Sequence, residues 1–515
     1  MKNLLLTLMG CITFMGYAQD MPFAYDFGEK FDDRHRYSKL LNITEDGDNG
    51  YLLLRSYFQG LILKPKGYLL ERYDSDLNLV EEFNYEFRDM QFIDGYINNG
   101  RLNLIFFDYN LEKQRYEYWV HQSLTNVFDF TKKRILSIPA KAVEGAYEKN
   151  YYNRDFSNGF TTTLLFDADK KGFLISTYHT EKNKSKHTLH LFDAELNKKW
   201  VRDFSNATEE KNYAFEQLTL SEDMNTVFLV GKAHFKQKRF KAKERKFQYE
   251  VVKVSAKRTS IQEFNAPNKY PEALYPILKN GSLKCVGFYA NRKDHRYNGL
   301  AYYELDPETL AISTQKFNSF SPQFMYDKFG QDQEREVKNL VFKSVDITDN
   351  DEILFNAEEY FVTSGVHRTG AGQRINVDRY HYNDIVSAKL DSTGSMIWAR
   401  NINKSEVTQS DGAYASYSSY AKDGKMFFFI CTAAENPRLI NDERLIFRQG
   451  LTRNRNVFVI SLDENGKMGY EKIIDDQEAR LPLLVAMPLI DKNDDQLLFY
   501  AKRGSKKQLV EIGFK

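Results

Sequence analysis

One short pattern recurs along the chain: an apolar strand, a turn rich in Asp, Asn and Gly, and a second, strongly apolar strand. These turn residues tolerate a positive φ angle and hydrogen-bond to their own backbone, so each copy predicts a tight β-hairpin. The eight copies span 43–57, 92–109, 164–178, 218–231, 275–289, 345–360, 420–433 and 489–502.

A second pattern follows most copies: an alternating strand that ends near an Asp, a turn, and a strand that carries an aromatic residue or Ile. Each pair of patterns predicts four antiparallel strands, A to D, repeated every ~64 residues. We expect no helix, apart from a turn near Gln331–Glu336. The second pattern occurs at 68–83, 189–204, 249–264, 301–317, 385–402 and 458–474, with a degenerate copy within 115–137.

Four-stranded antiparallel sheets at a fixed period are typical of a β-propeller, in which each sheet is one blade of a ring. We therefore predict an all-β fold, an eight-bladed β-propeller that forms a single domain over residues 19–515. Seven blades are the alternative, because the second repeat (88–140) is irregular. A pair of β-sandwiches does not explain the regular hairpins, and a β-solenoid requires shorter, parallel rungs.

The last repeat has strands A, B and C, the third being "QLVEIGF" (508–514), but no strand D. A sheet with an open edge favours aggregation. The aromatic segment "MPFAYDFGEKF" (21–31) precedes the first A strand and can supply the missing strand. We predict that the N-terminal strand closes the ring by pairing with the C-terminal blade.

The N-terminus resembles a secretory signal peptide over residues 1–18. Lys2 is followed by the apolar stretch Leu4–Met15, and the small residues Gly16 and Ala18 precede the expected cleavage site. Cys11 lies too close to the N-terminus for a lipoprotein anchor to be expected. No later stretch reaches the ~20 apolar residues of a membrane-spanning helix. We expect an exported protein of the periplasm or outer membrane.

The charges of the chain are balanced, with 72 Lys plus Arg against 71 Asp plus Glu. This balance argues against a dedicated nucleic-acid-binding protein, which normally has a basic excess. After the signal peptide, Cys285 and Cys431 fall in different, non-adjacent repeats. We expect two buried free thiols and no disulfide.

Standard catalytic motifs such as G-x-S-x-G, H-E-x-x-H and the P-loop are absent from the sequence. His187 and His190 lie three residues apart on a strand, so they point to opposite faces and cannot share a metal. The residues Asp491, Asn493 and Asp495 have the spacing of a calcium loop but lack its glycine and distal glutamate. We interpret them as turn formers and expect no metal or cofactor.

The connections between strands predict a charged surface. In a propeller, the B–C and D–A connections emerge on one face, the connection face, and the A–B and C–D turns on the other, the turn face. The B–C connections are basic and the turns are acidic, so the connection face should attract anionic partners, with Arg forming bidentate contacts. The candidate ligand-binding residues are Lys236, Lys238, Arg239, Lys243, Arg245, Arg292, Arg296, Arg368, Arg374, Arg379, Arg444, Arg448 and Arg453.

Two functions remain open. The first is a non-enzymatic binding or scaffold protein of the cell envelope, alone or within a larger complex, that holds an acidic protein, glycan or lipid headgroup. The alternative is a carbohydrate-active hydrolase with carboxylates around the central channel. The inner strand ends carry mostly Ser, Tyr, Asn and apolar residues, which favours the first.

The signal ending "YAQ" (17–19) and the hairpin "LDSTGSMIW" (390–398) give the chain its family likeness. With its richness in Tyr, Phe, Lys and Asn, it resembles uncharacterised secreted β-propeller-like proteins of the Bacteroidota. Such bacteria often export proteins with a C-terminal sorting domain. Here a propeller strand occupies the end of the sequence, so the resemblance implies the periplasm or the inner side of the outer membrane. We interpret Asp391–Trp398 as a C–D hairpin with Trp398 in the core.

Overall fold

The fold consists almost entirely of antiparallel strands. In the computed structural model, the described residues are 21–60, 63–87, 89–140, 143, 160–167, 169–181, 184–235, 247–291, 296–332, 337–368, 374–409, 412–440, 444–450 and 455–515. The proposed signal peptide, including Cys11, lies outside them. None of the helices in these ranges has the length and apolar character needed to span a bilayer.

The secondary structure comprises thirty-five strands and two short α-helices in these ranges. The helices are α1 (Pro322–Phe329) and α2 (Asp476–Ala479). The strands are β1 (Phe23–Phe27), β2 (Phe31–Asp32), β3 (Ser38–Glu45), β4 (Tyr51–Gln59), β5 (Lys64–Tyr73), β6 (Leu79–Tyr85), β7 (Gln91–Asn98), β8 (Arg101–Asn110), β9 (Arg115–Leu124), β10 (Thr131–Pro139), β11 (Phe160–Phe166), β12 (Gly172–Glu181), β13 (Lys184–Asp193), β14 (Lys198–Asp203), β15 (Lys211–Leu220), β16 (Thr226–Phe235), β17 (Phe247–Ser255), β18 (Thr259–Glu263), β19 (Tyr270–Lys279), β20 (Ser282–Ala290), β21 (Gly299–Leu305), β22 (Ile312–Ser319), β23 (Leu340–Ile347), β24 (Ile353–Arg368), β25 (Arg374–Leu390), β26 (Met396–Thr408), β27 (Ser418–Lys422), β28 (Lys425–Thr432), β29 (Arg438–Leu439), β30 (Leu445–Arg448), β31 (Asn456–Leu462), β32 (Met468–Ile474), β33 (Leu489–Asp491), β34 (Gln496–Arg503) and β35 (Lys506–Phe514).

Eight sheets follow one another along the chain as the blades of a β-propeller. Blades 1 to 6 begin with strands β3, β7, β11, β15, β19 and β23, and each uses four consecutive strands. Blade 7 uses β27, β28, β31 and β32, while β29 and β30 extend blade 6, where β30 runs parallel to β26. The irregular second repeat is a complete sheet, β7–β10, so the eight-bladed prediction is confirmed and the seven-bladed alternative is wrong.

Strand β1 completes the last blade, as we predicted from the lack of a strand D in the last repeat. It pairs antiparallel with β35, from Phe23 opposite Phe514 to Phe27 opposite Val510. Strand β2 extends the pairing, with Phe31 opposite Lys507. Blade 8 therefore contains β33, β34, β35 and β1, and both ends of the sequence contribute to one sheet.

Buried apolar residues form eight clusters, and one cluster lies between each pair of neighbouring blades. The cluster that joins the first and last blades contains Leu53 and Tyr73 of blade 1 with Tyr500 and Leu509 of blade 8. An interface of the same kind therefore exists at every junction, and the ring is closed.

The two cysteines of the described chain are buried in separate clusters, as expected. Cys285 lies between blades 4 and 5, and Cys431 lies between blades 7 and 8. Both are free thiols. Burial raises the pKa of Cys431 to about 12, so its thiol stays protonated and unreactive at neutral pH.

A buried group of charged side chains accompanies the apolar contact between blades 1 and 8. The Arg55 guanidinium on β4 donates to Asp33 at 2.7 Å and also to Glu71. Lys507 on β35 donates to Glu71 at 2.6 Å, and Lys502 on β34 also binds Asp33. We call Asp33, Arg55, Glu71, Lys502 and Lys507 the closure cluster, because it joins the N-terminal segment to both end blades.

Aspartates at the start of the turns hold the turn backbone in place. The Asp463 carboxylate accepts from the backbone N–H groups of Asn465 and Lys467 at 2.9 and 2.8 Å. The carboxylate of Asp491, in the calcium-like triplet, accepts from Asn493 at 2.8 Å, and Asp495 binds Lys422. The acidic turns are thus explained by backbone capping.

The hairpin that resembles an Asp box has the same turn geometry. Asp391 accepts from the backbone N–H groups of Thr393 and Ser395 at 2.9 and 2.8 Å. Trp398 is buried between blades 6 and 7, and its indole N–H donates to the Glu464 carbonyl at 3.0 Å. The interpretation as a C–D hairpin with Trp398 in the core is confirmed.

Helix α2, a single turn, was not predicted from the sequence, and neither was the longer helix α1; a helical turn was expected at 331–336 instead. Residues 331–332 are not helical, and 333–336 lie outside the described residues. The helix begins after Ser321, whose hydroxyl accepts from the Phe324 N–H at 3.2 Å, and Pro322 takes the first helical position. Gly330 ends it at φ 73°. These are recognised start and stop signals.

Because β1 closes the ring, the loss of one of its side chains should lower the stability of the whole protein. Phe23 is buried against Phe427 and Phe429 of blade 7, so Phe23→Ala should lower the free energy of unfolding by about 3–5 kcal/mol. The control Ala24→Ser changes an exposed residue of the same strand and should have little effect. Urea unfolding followed by tryptophan fluorescence measures both. An unchanged midpoint in Phe23→Ala would show that β1 does not support the ring.

The closure cluster predicts very different effects for two adjacent lysines. Lys507 is fully buried against Glu71 and Glu82, whereas Lys506 forms an exposed pair with Asp32. Lys507→Met removes one of the two cations that bind the buried Glu71 carboxylate, together with a cation bound to Glu82, and should cost about 3–5 kcal/mol. Lys506→Met should cost about 1 kcal/mol or less. Equal midpoints for the two variants in urea would contradict a role of the cluster in closure.

Candidate partner-binding surface

Of the thirteen predicted ligand-binding residues, seven lie outside the described ranges and are given at the end of this paragraph. Arg368 ends β24, and only its backbone position is described. The five others in the described ranges are Arg296, Arg374, Arg379, Arg444 and Arg448. The residues outside the described ranges are Lys236, Lys238, Arg239, Lys243, Arg245, Arg292 and Arg453.

The five arginines that can be placed do not form one continuous site. Arg374 and Arg379 are exposed on β25, and Arg448 is exposed at the end of β30. Arg296 is half-buried in the B–C connection of blade 5. Arg444 donates to the carbonyls of Asp327 and Lys328 at the end of α1, so it stabilises the helix end and is not an available ligand-binding group.

Several other basic side chains of the connection face bind acids of the same face. Lys184 lies 2.7 Å from Glu209, and Arg455 lies 3.0 Å from Asp476. Their charge is partly compensated within the ring. By contrast, Arg374 and Arg448 form no ion pair with the residues that the structure describes. In the described part of this face, blade 6 and the strand that extends it therefore present two arginines that can attract an anion.

The B–C hairpin of blade 6 projects far beyond its neighbours. We expected Arg368, Arg374 and Arg379 in a basic B–C connection, but β24 and β25 continue as a two-stranded ribbon to Arg368 opposite Arg374. We call residues 361–368 and 374–381 the arm. At about 3.3 Å per residue it extends roughly 25 Å. Its alternating sequence "RINVDRYHY" (374–382) was a readable strand signal.

The two faces of the arm both combine apolar and polar side chains. Phe361 stacks on the His381 ring at 4.4 Å, and Thr363 hydrogen-bonds His381 at 2.9 Å. On the opposite face, Ser364 donates to Asp378 at 2.5 Å. The cross-strand contacts hold the ribbon in one register and engage its acidic side chain.

Helix α1 fixes the base of the arm. Lys328, in the last turn of the helix, lies 2.9 Å from Glu359 on β24 and 2.7 Å from Asp384 on β25. Arg400 on β26 binds Asp327 at 2.5 Å. Although burial acts to lower the pKa of Lys328, Asp384 and Glu359 raise it, so the ammonium stays charged. These pairs set the direction in which the arm leaves the ring.

A second buried group lies beside this base, between blades 6 and 7. Lys404 on β26 lies 3.1 Å from Glu358 and 2.8 Å from Glu406, and all three are buried. Ser416 donates its hydroxyl to Glu358 at 2.6 Å and its backbone N–H to Glu406 at 2.9 Å. Buried pairs of this kind specify geometry more than they add stability.

Carboxylates also lie on the innermost strands near the turn face. Asp94 on β7 accepts from Asn42 on the neighbouring inner strand β3 at 3.0 Å. Burial raises the pKa of Glu45, at the end of β3, and nearby Asp491 raises it further. Burial also raises the pKa of Asp94. The expectation of mostly Ser, Tyr, Asn and apolar residues at these ends overlooked this group.

Four histidines of the described residues are buried, namely His121, His179, His187 and His190, and three of them have strongly lowered pKa values. His187 and His190 occupy opposite faces of β13: neighbouring Leu189 and Leu191 face blade 4, and Phe192 faces blade 2. They cannot share a metal, as expected. Burial lowers the pKa of His187 and His190 to about 4 and that of His121 to about 3. All three are neutral at physiological pH.

Comparisons with known proteins give matches among solved structures alone. No protein-family model and no curated protein matches the sequence. The chain is similar to the β-propeller domain of the Trilobed protease from Pyrococcus furiosus, with 10% identity, a TM-score of 0.36, and coverage of 86% of this chain and 98% of that chain.

Two further solved structures are larger peptidases. Prolyl oligopeptidase B from Galerina marginata has 11% identity and a TM-score of 0.38, over 93% of this chain and 56% of that chain. An acylaminoacyl peptidase in complex with a chloromethyl ketone has 9% identity and a TM-score of 0.36, over 91% and 58%. The chain spans little more than half the length of these peptidases.

The buried histidines predict acid sensitivity. Below pH 6.5 the unfolded histidines gain protons, whereas the folded ones stay neutral until about pH 4. The unfolded state then binds more protons, so stability falls between pH 6.5 and 4, by up to about 1.4 kcal/mol per pH unit and histidine. His190→Leu should flatten this decline in urea titrations at several pH values. A parallel decline in both proteins would contradict the assignment.

Proposed function

We propose that the protein is a non-enzymatic binding or scaffold protein of the cell envelope that holds an anionic partner on its connection face. The observation that carries this proposal is the arm of blade 6, which places Arg374 and Arg379 well clear of the ring. The buried pairs of Lys328 and Lys404 keep its base in one position. A surface that is fixed before binding loses little conformational freedom on association.

An acidic protein is the partner that this surface favours. The arm presents exposed Val362, Val366 and Ile375 beside its arginines, and such a mixture of apolar and basic groups suits a polypeptide better than a highly charged glycan or a headgroup. The near-neutral composition argues against nucleic acid. Export by the proposed signal peptide would bring this surface to the envelope, where the ring acts alone or within a larger complex.

The carboxylates at the inner strand ends keep a carbohydrate-active hydrolase as a second candidate. Raised pKa values suit general acids, and Glu45 and Asp94 lie on adjacent inner strands. Hydrolysis in a broad glycoside screen that disappears in both Glu45→Gln and Asp94→Asn would favour this candidate over the binding protein.

Matched charge reversals on the two faces test the binding proposal. The variant Arg374→Glu/Arg448→Glu reverses two charges on the connection face, and Lys257→Glu/Arg258→Glu reverses two exposed charges on the turn face. Only the first should lose the envelope partner captured by the wild type. Capture should also weaken as salt rises from 0.05 to 0.5 M, roughly as screening of exposed charges predicts. Equal capture by both variants would count against the proposal.

A further inference from the structure

The open edge of β25 along the arm has the properties of a strand-binding site. Pairing of β25 with β26 ends where Tyr380 lies opposite Thr408. From Arg374 to Arg379, β25 pairs only with β24 among the described strands, so one edge of this stretch presents backbone N–H and C=O groups outward. A strand added there would continue the line of β26.

The arm is also unusual as a free structure. A two-stranded ribbon is barely stable by itself in water, and proteins usually protect exposed edges with lysine, proline or bulges. The stretch 374–380, "RINVDRY", contains neither lysine nor proline. Val362, Val366 and Ile375 are 44%, 63% and 45% exposed. These features suit a surface that is covered by a partner.

We propose that the β25 edge of the arm takes up an extended acidic segment of the partner polypeptide as an added antiparallel strand. This inference rests on the proposed function, since it specifies how the anionic partner is held. Main-chain hydrogen bonds would supply affinity, and the side chains opposite β25 would supply selectivity.

The side-chain order of β25 defines the segment that fits. Arg374 and Arg379 stand at the two ends of the edge and favour acidic residues opposite them. Ile375 and Val377 lie on one face, where β-branched apolar partners fit, and Asn376 and Asp378 alternate with them on the other. An antiparallel strand of sequence Glu-Thr-Val-Thr-Val-Glu meets each of these requirements. The β24 edge does not carry the same pair of terminal arginines.

The experiment uses the full chain and a fluorescent peptide of this sequence, with blocked ends. Binding is followed by anisotropy, and hydrogen exchange is followed by mass spectrometry with fragments that cover 374–379. We expect saturable binding and about tenfold slower exchange of outward-facing amides in this stretch. Control peptides carry Lys at both ends, or Pro in place of the first Val, and should bind at least about tenfold more weakly.

A shortened chain provides the matched protein control. Replacing residues 362–380 by Asn-Gly joins Phe361 to His381, which already lie opposite each other, through a favourable two-residue turn. The ring should keep its unfolding midpoint, because the interblade clusters contain no arm residue. This variant should lose peptide binding. Its unchanged binding would overturn the assignment to the arm.

The remaining outcomes separate this inference from the proposed function. Peptide binding without protection of 374–379 would overturn strand addition and leave the anionic-partner proposal standing. Protection confined to 361–368 would assign the strand to β24 and overturn the choice of edge. Protection of 374–379 that appears without peptide as protein concentration rises would identify a second copy of this chain as the occupant. Absence of any peptide binding would overturn the inference.

Discussion

The structure depends on the pairing of β1 with β35. Without it, the last sheet would end at an open strand, and the apolar faces of blades 1 and 8 would lack a firm boundary. The pairing brings together Phe23 and Phe514, which are separated by almost the whole sequence. We expect this contact to form late in folding, because closing so long a loop costs entropy that is offset only once the intervening blades have folded. The closure cluster then adds hydrogen bonds and ion pairs, which depend on direction in a way that apolar contacts do not.

The blades could be predicted because their signals are local. A positive-φ turn between two apolar strands is written within about fifteen residues of sequence, and all eight A–B hairpins lie where this pattern occurs. The N-terminal strand was predicted by a different route, from the missing edge in the last sheet. Helix α1 was missed although Ser321, Pro322 and Gly330 mark its ends, because its eight residues are too few for a clear period.

The site was less predictable because its contacts join distant parts of the sequence. Nothing near Arg444 shows that the carbonyls of Asp327 and Lys328 will lie beside it. The same holds for Lys404 and Glu358, which face each other across blade 6. The alternation of apolar and polar residues after Arg374 indicated a strand, but the arginines of this segment were interpreted as part of a basic connection. Charge alone did not distinguish structural arginines from available ones.

The B–C connections differ greatly in length although the blades are alike. In blade 8, β34 and β35 are joined through a tight turn at Gly504 and Ser505, whereas in blade 6 the same connection is the arm. The interblade clusters are built from the strands and contain no arm residue. One side of the ring can therefore gain, lose or exchange segments during evolution while the packing that holds the blades together stays the same. The exposed connections and the packed core are encoded in largely separate parts of this sequence.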